Sequence, residues 1–360
     1  MTGRPDPDER SGGSGPREPE VVIAGCASRD IAHDDARGWR LGGGVTYAAL
    51  TCARLGVRTA AVIGLDSQAY ESHEVEQLAA AGVALRRVRL PQGPVFRNID
   101  AAGGRIQICL APGLPLSNVA LPLAWRAAPA WILAPVAAEL DDAWADPIPA
   151  DAFVALGWQG LLRTLRAGAR VERRAPAAGR LVRRADVVAV SEHDVAPGTS
   201  PADLAPLLHP GAWLVFTHGV AGGRIARVTA DGLGEIVHYP AVEGVAEVDA
   251  TGAGDTFLAA LVASVVSGAR DRTDDGIGTP ATPGVTGVPG TLPDLRFEAC
   301  RPGFLPDLRF AAAAASLTVE GPGLTGVPDR AAVLRRLAGS AGQSSPEPPS
   351  SPTYSAKAPR

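Results

Sequence analysis

The chain has 360 residues, of which 46% are hydrophobic and 20% are charged, and its formal net charge is −4. This composition is typical of a soluble globular protein with one large α/β domain or two smaller ones. The absence of a basic stripe argues against a nucleic-acid partner. No apolar run in the sequence reaches the ~18–20 residues that a membrane span requires, so we expect no membrane partner either.

Lysine is almost missing from the chain, since Lys357 is its only lysine. A P-loop needs the sequence Gly-Lys-Ser/Thr, a protein-kinase site needs a lysine on a strand, and a Schiff-base enzyme needs a lysine amine. These three classes of enzyme are therefore excluded. If the protein transfers phosphate, it has to use arginine, backbone amides and a metal ion instead.

Both ends of the chain have the composition of disordered segments. Residues 1–19 and 341–360 are rich in Pro, Gly, Ser and charge, without hydrophobic periodicity, and the first segment lacks the apolar stretch of a signal peptide. The four cysteines contain no CxxC pair and are expected to be buried thiols of a reducing compartment: Cys26, Cys52, Cys109 and Cys300. We therefore expect a cytoplasmic protein.

The first elements follow the order strand, glycine turn, helix, strand. Residues 21–25 are a short apolar run typical of a buried strand, and residues 41–56 place three glycines before an Ala-rich segment that ends at Gly56. Residues 57–63 form the next apolar run. This order predicts a parallel sheet with crossover helices.

Further along the chain, residues 95–100 and 105–110 alternate on either side of a glycine turn and predict a hairpin. Asn98 lies on this hairpin, where it faces either a ligand or solvent. Further strands are predicted at residues 131–134, 153–156, 186–190 and 213–216, followed by a hairpin from residues 224–228 and 235–238.

Polar residues follow two of these strands. Gln159 and Arg163 come just after the strand at 153–156, and the carboxyl ends of strands are where open α/β sheets bind ligands. We therefore predict that both contact substrate. Ser191 and Asp194 follow the strand at 186–190. Their spacing fits either an ordinary capping box or a functional pair.

A small-residue turn, Thr251 to Gly254, is bracketed by Asp249 and Asp255. The apolar run that follows predicts a buried helix over residues 257–266, ending at Gly268. Free backbone N–H groups and the helix dipole favour an anion at such a turn. A carboxylate beside a bound phosphate suits a general base that takes a proton from a hydroxyl group. The alternative is that Asp255 only caps the helix.

The region from about 269 to 303 is irregular and rich in Gly, Pro, Thr and Asp, and we interpret it as an insertion. The sequence Leu-Pro-Asp-Leu-Arg-Phe occurs at 292–297 and again at 305–310. The second copy leads into a predicted helix at 310–319 and is the copy expected to belong to the framework. A last helix is predicted at 328–338, with Pro328 in its first turn.

The turn at 249–255 resembles the signature of the ribokinase-like, or PfkB-type, carbohydrate kinase family, which is Asp-Thr-x-Gly-Ala-Gly-Asp. Ala250 stands where the family usually has Thr. The resemblance implies that Asp255 is the catalytic base and that the amides of Gly252, Ala253 and Gly254 form the anion hole. It also implies that Asp249 supports the metal or phosphate region.

Other blocks extend the resemblance over roughly residues 21–337. The family's substrate motif is matched by Gly42, Gly43 and Ala49, and then by residues 55–56 and 64–66. Tyr47 stands in place of the usual Asn. The resemblance implies that Asp30 and this turn hold the acceptor's hydroxyl groups; a simple loop cap is the alternative for Asp30. The remaining implied roles are nucleotide binding by Thr217, Gly219, Gly222, Thr251 and Ser191, acceptor binding by Asn98, Gln159 and Arg163, and metal binding by Asp194 with Asp249.

The implied fold is a doubly wound, mostly parallel sheet sandwiched by helices over residues 20–340, with a small β-sheet lid from about 28–44 and 92–112. The implied activity is ATP-dependent phosphorylation of a hydroxyl group on a sugar, polyol or nucleoside, with Mg²⁺ and an optional monovalent cation. The pattern Phe-x-Asn, Gly-Arg-x-Gln and Gln-Gly-x-x-Arg is similar to the inositol-kinase-like branch, with ribokinase, keto-deoxy-sugar and adenosine kinases still open. The resemblance also allows a homodimer.

Two other classes of function are alternatives to an active kinase. The departures at Tyr47, Ala250 and Ser191 fit a kinase fold that has kept ligand binding but lost turnover, whereas the intact Asp255 favours an enzyme. A dinucleotide-dependent oxidoreductase is rejected, because no Gly-x-Gly-x-x-Gly follows the first strand.

Overall fold

The computed structural model describes residues 18–101, 104–274 and 304–341. Three segments discussed above therefore lie outside the described residues: 1–17, most of the expected insertion (275–303) and 342–360. The first copy of Leu-Pro-Asp-Leu-Arg-Phe and Cys300 belong to the second of these segments.

Strands and helices alternate along most of the described chain. The strands are β1 Val21–Cys26, β2 Ser28–Ile31, β3 Trp39–Gly42, β4 Thr59–Leu65, β5 Ala84–Arg89, β6 Pro94–Ala101, β7 Gly104–Pro112, β8 Ala130–Leu133, β9 Phe153–Gly157, β10 Arg163–Thr164, β11 Ala169–Arg170, β12 Glu172–Arg173, β13 Val187–Ser191, β14 Trp213–Thr217, β15 Gly223–Thr229 and β16 Gly232–Tyr239. The α-helices are α1 Gly44–Arg54, α2 Ser67–Tyr70, α3 His73–Ala80, α4 Arg180–Arg184, α5 Pro201–Leu204, α6 Ala253–Asp274, α7 Phe304–Thr318 and α8 Arg330–Ala341.

The larger sheet has nine strands in the order β16-β15-β14-β13-β9-β8-β1-β4-β5. The pairings from β5 to β14 are parallel, and only β15 and β16 pair antiparallel. This is the predicted doubly wound α/β class, with helices on the faces of a mostly parallel sheet. The strand order reverses beside β1, and the carboxyl ends at such a reversal are where ligands bind in open α/β sheets.

Two hydrophobic clusters fill the space on either side of the larger sheet. Along β1, Val21 and Ile23 belong to one cluster, while Val22 and Ala24 belong to the other. All four side chains are fully buried. Alternation of this kind is expected for a strand covered on both faces, which explains why the first strand is an unbroken apolar run in the sequence.

A second sheet of five strands, which we call the lid sheet, has the order β11-β7-β6-β2-β3. Its β6–β7 hairpin is the one predicted from the alternating residues at 95–100 and 105–110. In the register, Asp30 pairs with both Arg40 and Phe96, and Asn98 pairs with Gln107. Because paired residues lie on the same face of a sheet, these five residues share one face.

Three predicted boundaries were wrong. Helix α6 does not end at Gly268 but continues to Asp274, because a single glycine costs a helix only about 1 kcal/mol and Ala269 is fully buried in the core. Helix α7 begins at Phe304, so the second Leu-Pro-Asp-Leu-Arg-Phe is helical itself rather than leading into the helix. Pro328 precedes α8, which begins at Arg330.

The described cysteines behave as the sequence predicts. Cys26, Cys52 and Cys109 are buried free thiols, and burial raises the pKa of each. Within the described ranges, no helix is both long enough and apolar enough to span a membrane.

Candidate active site

The turn at residues 249–255 leads into a helix, as the sequence predicts. Gly252 has φ +79°, a conformation that favours glycine, and a Cβ atom added there would collide with the ring of Tyr47. Helix α6 begins at the next residue, and its first hydrogen bond joins the Thr256 N–H to the Gly252 carbonyl at 2.8 Å. The N–H groups of Gly254 and Asp255 therefore precede the helical ladder, which leaves them available to an anion.

Asp255 lies in the first turn of α6 as a partly buried carboxylate. Burial raises the pKa of Asp255 to about 6; the charge of Arg163 lowers it, and the charge of Asp194 raises it further. A pKa near 6 places this carboxylate close to neutral pH, where a general base is most effective. Perturbed carboxylates of this kind are concentrated at functional sites.

A second glycine turn, at Gly42–Gly44, faces the first. A Cβ atom added at Gly44 would lie 2.6 Å from the Asp255 Oδ1 atom, and one added at Gly42 would overlap the Asp30 carboxylate. Two acidic side chains thus rest directly against glycine backbone. The sequence placed Asp30, Gly42 and Gly43 together in the acceptor site, and the structure brings them together.

Arg163 lies near the Phe96 ring of the lid sheet, and its charge acts on Asp255. Its Nη1 atom donates to the Val136 carbonyl at 3.3 Å, and its guanidinium lies 5.8 Å from the centroid of the Phe96 ring. Burial lowers the pKa of Arg163, while the charges of Asp194, Asp255, Asp30 and Glu139 raise it.

Asp194 joins the strands β9 and β13 at their carboxyl ends. Its Oδ1 accepts from Gln159 Nε2 at 3.1 Å, and its Oδ2 accepts from the Ser191 N–H at 3.1 Å. The Ser191 hydroxyl accepts in turn from the His193 N–H at 3.2 Å. The Asp194 N–H donates to the Ser191 backbone carbonyl at 2.9 Å and not to its hydroxyl, so only half of a capping box is formed, and a turn follows rather than a helix. Gln159, Ser191 and Asp194 are therefore neighbours.

A cavity of about 220 Å³ lies between the lid sheet and the segment that precedes α6. It is lined by Asp30, Asp34, Arg40, Tyr47, Asn98, Asp249, Thr251 and Gly323, among others. The Asn98 Oδ1 accepts from Gln107 Nε2 at 2.9 Å, which fixes the side-chain amide at the cavity wall. This cavity thus contains both carboxylate and amide groups suited to hydroxyl ligands.

Tyr47 fills the position where the family signature has Asn. Its side chain is buried, and its pKa is raised well above the ordinary value by burial and then by the charges of Asp30, Asp249 and Asp255. The phenol therefore stays protonated at neutral pH, and Tyr47 lines the cavity together with Asp30 and Asp249. This position was not evident in the sequence, where Tyr47 was only a departure from a motif.

Asp249 is held mainly by backbone groups. Its Oδ1 accepts from the Thr251 N–H at 3.0 Å and its Oδ2 accepts from the Gly323 N–H at 3.2 Å. These bonds tie the segment before α6 to the loop that follows α7. Asp249 lines the cavity of about 220 Å³ beside the lid sheet, whereas Asp194 is not among the residues that line it.

The expected nucleotide loop follows β14. Thr217 ends that strand, and the loop closes with a bond from the His218 N–H to the Gly222 carbonyl at 2.8 Å. The His218 Nδ1 atom lies 2.9 Å from Glu192 Oε2. A second cavity is lined by Glu192, His218, Ala221, Gly223, Arg224, His238, Tyr239 and Pro240. Its basic side chains suit an anionic ligand.

The two predicted metal residues, Asp194 and Asp249, lie in different surroundings. No group of three or more His, Cys, Asp or Glu residues suited to a metal is found within residues 18–101, 104–274 and 304–341. Mg²⁺ in phosphotransferases often needs only one or two carboxylates, with phosphates and water as its other ligands. Asp194 fits that requirement, and its charge raises the pKa of Asp255. Asp249 lines the cavity beside the lid sheet and fits the requirement less well.

Sequence reasoning also missed Glu139 and the pairing of Glu192 with His218. Glu139 is buried and accepts from the N–H groups of Cys26, Val136 and Ala137 at 2.7–3.1 Å, which holds the loop that carries the carbonyl partner of Arg163. His218 occupies a variable position of its motif. Neither the bond from Cys26 to Glu139 nor the contact of Glu192 with His218 has a signal in the sequence, because each joins residues far apart in the chain.

Sequence comparison places part of the chain in a known family. Residues 169–273 match the family model described as pfkB family carbohydrate kinase. This range includes the nucleotide loop and the turn that carries Asp255. A search of curated proteins finds no match.

Solved structures with the same fold cover most of the chain. A pyrophosphate-dependent kinase of the ribokinase family, complexed with a pyrophosphate analog and myo-inositol, superposes with a TM-score of 0.62 at 18% identity, covering 88% of this chain and 99% of that one. Arabidopsis thaliana ribokinase complexed with ribose and ATP gives 0.57 at 19% identity, covering 89% and 99%. The nucleoside kinase of Methanocaldococcus jannaschii gives 0.54 at 15% identity, covering 89% and 99%.

These findings confirm the resemblance to the PfkB-type carbohydrate kinase family, and they indicate a phosphotransferase of the carbohydrate kinase type. The chain has the ribokinase fold over most of its length, and its residues 169–273 match the model of the pfkB family of carbohydrate kinases.

Proposed function

We propose that the protein transfers the γ-phosphoryl group of ATP to a hydroxyl group of a small polyol, sugar or nucleoside, with Asp255 as the general base. The observation that carries the proposal is the position of Asp255. It is a partly buried carboxylate with a pKa raised to about 6, in the first turn of a helix in which the N–H groups of Gly254 and Asp255 precede the helical hydrogen bonds and can bind an anion.

The acceptor is proposed to bind between the lid sheet and the turn at Gly42–Gly44. Asp30 and Asn98 would accept and donate hydrogen bonds to vicinal hydroxyl groups, and Tyr47 would add a donor. Gln159 lies next to Asp194 and would contact the acceptor from the other side. A polyol such as an inositol suits this set of groups, which agrees with the myo-inositol bound to one protein of the same fold.

In the proposed reaction, the acceptor oxygen attacks the γ-phosphorus while its proton passes to an Asp255 carboxylate oxygen. The bond from the γ-phosphorus to the bridging oxygen breaks, and ADP leaves with the electron pair. The amides of Gly252, Ala253 and Gly254 stabilise the charge on the transferring group. Thr217, Gly219, Gly222, Thr251 and Ser191 would bind the donor. Mg²⁺, when bound through Asp194, would neutralise charge on the phosphates.

Inorganic pyrophosphate is a second candidate donor. The cavity beside the nucleotide loop brings Arg224 and His238 side by side, since they pair across β15 and β16, with His218 on the same wall. These groups recognise phosphate rather than a nucleoside. One protein of the same fold is described as pyrophosphate-dependent.

Product analysis with two donors and a panel of acceptors tests the proposal. Purified protein with Mg²⁺ would be incubated with ATP or pyrophosphate and with polyols, sugars or nucleosides. We expect a phosphorylated acceptor to form with ATP, accompanied by ADP. Binding of an acceptor by titration calorimetry without product from either donor would support the inactive alternative instead.

A further inference from the structure

A segment rich in arginine, residues 163–174, lies beside the proposed site, and we call it the arginine ribbon. Its five arginines and one glutamate give it a charge of +4, whereas the chain as a whole carries −4 and the residues outside the segment therefore carry −8. A single strongly positive patch on an otherwise acidic protein creates a local field that attracts anions.

The arginine ribbon joins the lid sheet to the donor side of the larger sheet. Its strand β11 pairs with β7 of the lid sheet, and the Val171 N–H donates to the Gln107 carbonyl at 2.8 Å. Near its other end, Arg173 Nε donates to the His193 carbonyl at 2.8 Å, next to Asp194 in the chain. The arginine ribbon is therefore a rim between the two parts of the protein that enclose the site.

Most of the charge on this rim is not neutralised by neighbouring side chains. Arg170, Arg173 and Arg174 are exposed, and none of them forms an ion pair within residues 18–101, 104–274 and 304–341. Arg163 and Arg173 are directly opposite in the register of β10 and β12, and like charges at such positions destabilise a sheet. The arrangement thus disfavours the stability of the ribbon itself and favours an anion that comes near it.

The interior of the site has the opposite charge. Asp30, Asp34 and Asp249 line the cavity beside the lid sheet, with Arg40 as the one cation among the described lining residues, and Asp255 lies in the first turn of α6. ATP and pyrophosphate are polyanions, so these carboxylates repel them. A donor that approaches the site therefore meets an electrostatic barrier unless cations outside the cavity compensate for it.

We propose that the exposed arginines of the ribbon steer polyanionic phosphoryl donors towards the site by long-range attraction, without contacting the donor once it is bound. This inference rests on the proposed function, and it applies to ATP and pyrophosphate alike because both are polyphosphates. Fields of this kind raise association rates by ~10–10³-fold. Salt screens exposed charges beyond ~10 Å at about 0.1 M, so the effect must fall as salt is added.

The test measures binding of methylanthraniloyl-ATP, a fluorescent ATP analogue, by stopped flow at ionic strengths from about 0.01 to 1 M. Arg170→Gln/Arg174→Gln removes two charges but keeps the bond from Arg173 to His193. We expect its association rate constant to be at least ~10-fold below that of the wild type at about 0.01 M, and equal within ~2-fold at about 1 M. The dissociation rate constant should change less than ~2-fold, because the bound donor does not contact these side chains.

Two further variants separate steering from other roles. Arg170→Lys/Arg174→Lys keeps the charge but not the guanidinium fork, so it should associate at the wild-type rate. Arg126→Gln/Arg183→Gln removes the same charge at the opposite edge of the larger sheet, since these exposed residues precede β8 and β13. It should also match the wild type.

Several outcomes would overturn the inference: a wild-type association rate in Arg170→Gln/Arg174→Gln, an equal loss in Arg126→Gln/Arg183→Gln, or a Lys variant as slow as the Gln variant, which would indicate direct contact through the guanidinium groups. Titration calorimetry with pyrophosphate extends the test to the second donor, whose affinity should show the same loss at about 0.01 M. A wild type that binds a donor with a salt-dependent rate but phosphorylates no acceptor would contradict only the proposed function. A wild type that binds neither donor would overturn both.

Discussion

Two helices of this protein begin at glycine turns, and the two turns meet. Helix α1 starts after Gly43, with φ +94°, and α6 starts after Gly252, with φ +79°. Gly44 lies against the Asp255 carboxylate, so the N-termini of both helices converge on one point. In both regions, therefore, a glycine with positive φ directly precedes the helix.

The two turns differ in what their first helical turn contains. Helix α1 has no acidic residue there, and residues 44–52 are all buried. Helix α6 carries Asp255, and Gly254 is exposed. The turn before α1 is therefore packed against the protein core. The turn before α6 presents a carboxylate and free N–H groups to a ligand. The glycines determine the backbone path in both regions, whereas a single acid and its access to ligand distinguish the proposed reactive turn.

Removal of the acid should have the largest effect. Asp255→Asn keeps the size of the side chain but cannot accept a proton, so we expect kcat to fall roughly 10²–10⁴-fold. Acceptor affinity, measured by titration calorimetry, should change little. Steady-state turnover close to that of the wild type would show that Asp255 is only a helix cap.

Gly44→Ala tests whether the packed turn fixes the position of the acid. Its Cβ atom would lie 2.6 Å from Asp255 Oδ1, which forces the carboxylate to move, and we expect kcat to fall roughly 10–10²-fold because small displacements of catalytic groups are costly. Gly339→Ala is the matched control, since a Cβ atom there meets open space. Equal kcat for both variants would mean that the two turns are not coupled.

The pH dependence of the rate tests the electrostatics of the reactive turn. Asp255 must be ionised to act as a base, and its pKa is raised to about 6. The value of kcat should therefore rise with pH through about 6 and fall about tenfold per pH unit below that point. A flat profile down to about pH 4, the ordinary range of a carboxyl group, would contradict the burial of a catalytic Asp255.

In Asp255→Asn, the free energy of unfolding should rise although kcat falls. This is the smallest of the effects that we expect. The folded-state pKa of Asp255, about 6, lies above the usual value of 3.8, so ionised Asp255 costs stability above this pH window. Asp255→Asn removes that cost and should raise the free energy of unfolding by about 1–3 kcal/mol at about pH 8. The gain should vanish below about pH 4; a variant less stable than the wild type at about pH 8 would disagree with this account.

The backbone of both turns was predictable from the sequence, because glycines directly before an apolar helical segment indicate a tight turn at a helix N-terminus. The alternation of residues 95–100 and 105–110 likewise predicted the hairpin β6–β7. The end of α6 was not predictable, because Gly268 looks like a helix stop until the burial of Ala269 is known. Tertiary packing outweighed local propensity there.

The candidate site was predictable in its residue types but not in its electrostatics. Asp30, Asn98, Gln159 and Arg163 could be named from motifs and strand ends. The pKa shifts of Arg163 and Tyr47 arise first from burial and then from carboxylates that come together only in the folded chain. Pair contacts of this kind leave no periodicity or spacing in a single sequence.

The central claim is that the acid-bearing turn of α6, and not the packed turn of α1, performs phosphoryl transfer. Phosphorus NMR of the wild type and Asp255→Asn, each with ATP, Mg²⁺ and the acceptor panel, tests it most directly. The account predicts a new phosphate monoester signal with the wild type, and a rate of formation at most ~1% of that with the variant. Monoester formation by Asp255→Asn at the wild-type rate would contradict it.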